Sequence, residues 1–167
     1  SCGGAGTLGP VAQMIPSGFL PTSPAAVTLG SSDYPIKITQ GSSGVSDVIT
    51  IVGAIGDQTY PTQVTNVPAL GSSALTLKIT ADQTQARYAV GDVIYIGEVA
   101  ENAKVTAVNG NQLTIDTDPG ISGNQGLTKA HGQWTEVGKI SVISYAVINV
   151  NGIKTLKRKE NNGSFES

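Results

Sequence analysis

Twelve Asp and Glu residues, one histidine and one cysteine are the side chains from which a catalytic or metal centre would have to be built. A Ser-His-Asp relay would have to pass through His131, and Cys2 with His131 falls short of the four ligands of a tetrahedral zinc site. His131 lies beside Gly132 in a polar stretch and reads as a solvated loop histidine. Asp92, Glu98 and Glu101 offer carboxylates that could pair as glycoside hydrolysis requires. Asp92, however, follows Gly91 at a strand start, where an acidic turn residue is common, and no second pocket-forming element accompanies the three. Asp116-Thr117-Asp118-Pro119-Gly120-Ile121-Ser122 spaces its oxygens as a calcium loop does. Ile121 stands where the sharp turn needs glycine, and Leu127 where a bidentate glutamate belongs. The expectation is an ordinary polar turn, no metal, no cofactor and no enzymatic activity. Asn162-Gly163-Ser164 matches the glycosylation sequon, a pattern too short to carry weight.

The charges are unevenly placed. Residues 1–128 hold 4 basic and 9 acidic side chains, whereas residues 129–167 hold 6 basic and 3 acidic. Lys154, Lys157, Arg158 and Lys159 sit together on the last apolar run or just past it. Lysine protects an edge strand from edge-to-edge pairing. The same strip would also suit the acidic part of a neighbouring subunit, so these four are the candidate partner-binding edge. Nucleic acid is not expected: net charge is −2, and no aromatic residues alternate with the basic ones to stack bases.

The elements that must position these residues are strands. There are 16 Val, 15 Ile and 17 Thr against 9 Leu, with 21 Gly and 8 Pro, a composition of short strands and many turns. The fold class expected is mainly β: antiparallel sheets in a sandwich or partly open barrel, with little or no helix. A length of 167 residues suits one domain. Residues 1–32 read as an irregular Gly/Pro/Ser-rich arm with at most a short strand over 26–29. Residues 33–160 read as a single β domain and 161–167 as a tail.

Within the domain, 34–40 alternates as a half-buried strand, with Ile36 and Ile38 on one side and Lys37 and Thr39 on the other. The nearly all-apolar 47–54 reads as a central strand. Further strands are expected over 60–67 (an edge bounded by prolines), 74–80, 93–98, 104–108, 112–116, 134–150 and 153–159, with a helical turn over 82–88. Asn109-Gly110-Asn111 and Asn151-Gly152 supply residues that tolerate positive φ and mark two hairpins. Ile49, Ile51, Val93, Ile115, Ile143 and Val147 are the expected core, with Trp134 and Tyr145 packed on it. Ile51→Ala would then cost roughly 2–5 kcal/mol.

Cys2 fits three roles: a lone thiol near the N-terminus, a lipid-bearing residue after a cleaved lipobox, or half of a disulfide with a partner outside this sequence. No run approaches 18 apolar residues, and there is no charged n-region with an apolar h-region. With 32 Ser and Thr and few Lys and Glu, the composition leans towards an exported protein.

Several segments, taken in order, resemble the globular domain of PilW-type minor pilins. Asp47-Val48-Ile49-Thr50-Ile51 resembles its opening strand, and Val90-Gly91-Asp92-Val93-Ile94-Tyr95-Ile96 its Gly-Asp-apolar strand. Val105-Thr106-Ala107-Val108 with Leu113-Thr114-Ile115 is similar to the hairpin that follows. The stretch from Gly138-Lys139-Ile140 through Tyr145, then Gly152, Leu156, Lys157 and Arg158, resembles the closing hairpin. Together these cover about residues 33–163. The resemblance implies a type IV pilus or type II secretion pseudopilus component at the cell surface, partnered by other pilins. It also implies an N-terminal membrane helix and further strands that this sequence does not contain; membrane contact would come only through that helix or a lipid anchor. The rival expectation is a surface lipoprotein or phage-like β module that binds glycan or a host surface.

Overall fold

The computed structural model describes residues 6–54, 60–61, 71–76, 87–97, 101–110, 112–131 and 135–166. Among the described residues, ten strands form two antiparallel sheets, with no closed barrel. The four-stranded sheet has the order β1 (Ile36–Thr39), β2 (Val48–Gly53), β9 (Ser141–Val150), β10 (Ile153–Glu160). The six-stranded sheet has the order β3 (Tyr60–Pro61), β8 (Glu136–Lys139), β5 (Val93–Ile96), β6 (Glu101–Asn109), β7 (Gln112–Asp116), β4 (Ala74–Thr76). The helical part described is one four-residue helix, α1 (Val11–Met14), and a 3-10 turn at Ser17–Phe19.

β5 explains how the layers join. All four of its residues are buried, because its two faces serve two cores. Ile94 and Ile96 meet Ala103, Val105, Leu113, Ile115, Leu75 and Val137 in a core internal to the six-stranded sheet. Val93 and Tyr95, on the opposite face, meet Val52, Ile140 and Val142 of the other sheet region. The Tyr95 ring lies across the paired Gly138, where a Cβ would come within 2.6 Å of it, so a side chain at 138 would displace the ring.

The run expected as one strand over 134–150 is two strands in different sheets. β8 pairs with β5; at buried Ile140, whose N–H donates to the Val93 carbonyl, the chain turns into the four-stranded sheet as β9. Sheets that meet at an angle are commonly joined at such corners. Both hairpins form as their turn residues require. Asn151 and Gly152 have φ of 53° and 85°, a two-residue turn with both positions left-handed, and Val150 faces Ile153. Asn109 faces Gln112 around Gly110, φ 58°. A bulge at Thr106 lets β6 bend over β7.

The arm differs most from expectation. Leu8, Val11 and Met14 are fully buried and Ile15 nearly so, packed with Val52, Val93 and Val142 between the sheets. The 26–29 segment forms no strand, but Val27 is buried against Val48 and Ala146. Prolines stop this segment from joining a sheet, yet its apolar side chains fill the face that the four-stranded sheet turns inward. The packing therefore puts no boundary at residue 32. The tail is also engaged: Glu166 exchanges two backbone hydrogen bonds of 2.8 Å with Arg158.

Part of 60–67, 74–80 and 82–88, together with Cys2, Glu98 and Trp134, lies outside the described residues.

Candidate interaction surface

Strand periodicity decides which way each side chain of the four-stranded sheet points. Val48, Thr50 and Val52 of β2 and Val142, Ser144 and Ala146 of β9 are buried on the face that the arm covers. Thr50 and Ser144 share a 3.0 Å hydroxyl hydrogen bond there, so neither polar group is stranded. Their neighbours in sequence must point the other way. Ile38, Ile49, Tyr145 and Arg158 are register partners across all four strands, and Val147 faces Leu156. This outer face leaves Ile36, Ile38 and Leu156 each 63% exposed, Ile49 42% and Val147 40%.

That geometry corrects four expected positions. Ile49 and Val147 are exposed, not core, and Tyr145 and Ile51 are only half-buried. Each is one residue out of phase with an inward-pointing neighbour. Val93, Ile115 and Ile143 are buried as expected. In β1 the apolar side, Ile36 and Ile38, faces solvent, while Lys37 and Thr39 are the half-buried side. Lys37 reaches the Asp33 carboxylate at 2.8 Å and the Thr28 carbonyl at 2.7 Å, which ties β1 to the arm. That bond and the Gly30 N–H hold the Asp33 carboxyl below its usual pKa.

The four basic candidates do not form one strip. β10 is an edge strand, as expected, but its residues alternate in facing. Lys154 and Arg158 are on the outer face; Lys157 and Lys159 are on the inner one. Arg158 is paired with Glu160 at 2.7 Å, which raises its pKa. Lys159 is buried, correcting the expectation of an exposed charge. Its Nζ donates to the carbonyls of Gly18 at 3.1 Å, Gly163 at 2.8 Å and Asn161, so it clamps arm and tail together. Burial lowers its pKa. Lys159→Glu should destabilise the chain by about 2–4 kcal/mol, since a carboxylate would face three carbonyl oxygens. Lys157→Glu should stay within about 1 kcal/mol. Paired urea melts check both.

Asp116 and Asp92 close turns, while Glu101, weighed as one of a possible carboxylate pair, is engaged inside the fold. Asp116 Oδ1 accepts the N–H groups of Asp118 at 3.0 Å and Gln125 at 3.3 Å, which closes the 117–125 loop. The Asp92 carboxylate accepts the Ala89 N–H at 2.8 Å and meets Lys139 at 3.4 Å. Glu101 is buried and holds three donors: the Thr128 N–H at 2.7 Å, the Thr128 hydroxyl at 2.6 Å and His131 Nε2 at 2.8 Å. Burial pushes the Glu101 pKa up, but these hydrogen bonds outweigh it and hold the carboxyl below its ordinary value. His131, expected in solvent, is 1% exposed. Because a carboxylate only accepts, Nε2 is the ring nitrogen that carries the hydrogen. Nδ1 meets no partner among the described residues. Sequence did hold a signal for this: Glu101 is in phase with buried Ala103 and Val105, so its carboxylate needed an internal partner.

No group of three or more His, Cys, Asp or Glu side chains gathers to hold a metal ion among the described residues. No described helix is long and apolar enough to cross a membrane. No family model, curated protein or solved structure matches the chain.

Proposed function

We propose that this chain is the globular domain of a PilW-type minor pilin, a structural subunit that packs against neighbouring pilins in an extracellular type IV pilus or pseudopilus. One observation carries the reading: the outer face of the four-stranded sheet presents Ile36, Ile38, Ile49, Val147 and Leu156 to solvent. Apolar groups of this size, set contiguously on a flat sheet, mark an interaction site. The titratable groups weighed above for catalysis support the same reading from the other side. Glu101 and His131 are buried and bonded to each other, and Asp116 is engaged by backbone N–H groups. The segments that resemble the family coincide with β2, β5, the β6–β7 hairpin and the run from β8 to β10, in that order. The mechanism is burial of the aliphatic face between subunits, which gains about 25 cal/mol per Å² of apolar surface.

The test is genetic complementation with Ile49→Glu. The side chain is exposed, so the isolated domain should melt within about 1 kcal/mol of wild type. A carboxylate placed in an aliphatic subunit contact costs several kcal/mol, so surface pili should fall by more than roughly tenfold. Normal piliation with this variant would overturn the proposal.

A further inference from the structure

The outer face has a size and shape that point to its occupant. Its strands are 4, 6, 10 and 8 residues long. At about 3.3 Å per residue and about 4.8 Å between strands, they offer a footprint of roughly 450 Å² about 19 Å wide. A single helix, about 10 Å across, covers only half of that width. Another sheet of the same width covers all of it, at the spacing of about 10 Å at which sheets stack. Ile143 on this face is already buried and Ile51 and Tyr145 half-buried, so the open part is the patch of Ile36, Ile38, Ile49, Val147 and Leu156, smaller than the roughly 800 Å² per partner of a standard stable interface and in the range of weaker contacts.

The chemistry of the face is compatible with its own copy. Its centre is formed by Ile38, Ile49 and Val147 with half-buried Tyr145 between Ile49 and Arg158, so like meets like with no charge at the middle. Arg158 and Glu160 lie at one corner and neutralise each other at 2.7 Å, so a second copy brings no net like charge against them. Lys154 lies beyond Leu156, towards the hairpin turn at the rim. The lateral route of association is partly closed, because Glu166 already occupies the backbone groups of Arg158 at the β10 edge.

We infer that two copies of this chain associate face to face through their four-stranded sheets, in a two-fold contact centred on Ile49 and Val147. A two-fold contact uses the same patch on both partners, which the uncharged centre allows. The inference rests on the reading above, that this face is an assembly surface, and it commits the occupant to a second copy.

Sedimentation equilibrium of the 167-residue chain at about 100 μM, well above the micromolar range of modest interfaces, provides the test. The expected mass is twice the 17.0 kDa of one chain. Ile49→Glu and, separately, Ile38→Glu should each return it to the single-chain mass with an unchanged circular dichroism spectrum. A wild-type chain that sediments as a monomer overturns the inference, as does a dimer that survives both substitutions. A monomeric wild type together with lost piliation in Ile49→Glu means that a different pilin occupies the face: self-association fails and the pilin reading stands. A dimer broken by Ile49→Glu while piliation is normal supports self-association and removes the pilin reading.

Discussion

Leu8→Ala combined with Met14→Ala should leave the domain at the edge of unfolding. Both side chains are buried to 1% exposure or less, between the two sheets, although they belong to a segment with no strand of its own. Truncating a buried Leu or Met costs about 2–5 kcal/mol through lost transfer energy and the cavity left behind. The two share neighbours, so the pair need not add simply. Even so, a loss of about 4–8 kcal/mol compares with the whole stability of an ordinary domain, about 5–15 kcal/mol. The measurement is a urea titration followed by tryptophan fluorescence. The double variant should have its midpoint near zero denaturant, and each single variant should fall between it and wild type. A double variant with a wild-type midpoint would mean that residues 6–15 do not form this layer in solution.

Glu101→Ala should be the most damaging single polar substitution, at about 3–5 kcal/mol. It leaves the buried His131 Nε2–H with no acceptor, while the N–H and hydroxyl of exposed Thr128 lose the carboxylate that ties their loop to β6. Removing one partner from the buried pair costs more than the pair itself contributes, because the His131 donor stays desolvated. Acid should reveal the same carboxylate in wild type. The folded-state pKa of Glu101 lies below the ordinary value of 4.5. Its contribution is therefore complete above that unfolded value and lost as pH falls through the folded one. Glu101→Gln should be less stable than wild type at neutral pH, and the gap should narrow below about pH 4.5 as wild-type Glu101 gains a proton. A gap that stays constant from pH 7 to pH 3 would show that the carboxylate is not the source of the difference.

What the sequence made legible, and what it did not, follows the range of the interactions. Asn151-Gly152 and the β6–β7 turn are local devices: positive φ at named residues forces a hairpin whatever surrounds it. The apolar run of β5 was equally readable as a strand, and both of its faces are buried. Facing was not readable where both sides of a strand are apolar. In 47–54, Val48 and Val52 alternate with Ile49 and Ile51, and periodicity alone does not say which pair the core receives. That choice is made by the arm, whose Val27 sits on Val48 and whose Leu8 and Val11 join Val52 in one cluster. The arm reads from sequence as irregular because its prolines exclude regular structure, but they do not exclude burial. The interaction surface and the layer opposite it were hidden by the same ambiguity. His131 was a different case: its burial depends on Glu101, 30 residues away, and only a strand extended back to residue 101 places that carboxylate on the core side.

The joining of β2 to β9 bears on the order in which the molecule is built. Gly53 faces Ser141 in the central pair of the four-stranded sheet, and the whole six-stranded sheet lies between them in the chain. Topologically the larger sheet is an insert whose two ends emerge side by side. If β2 sought β9 in an otherwise open chain, closing a loop of roughly 90 residues would cost about 4 kcal/mol of chain entropy before any contact rewarded it. If the insert condenses first, through the near-sequence pairs β5–β6 and β6–β7, its ends bring Gly53 and Ser141 together and that entropic barrier largely disappears. The four-stranded sheet, and with it the aliphatic face, is then the last part to close. The β1–β2 isoleucines and the Val147–Leu156 pair of β9–β10 therefore become one continuous face only when β2 meets β9, after the six-stranded sheet is complete.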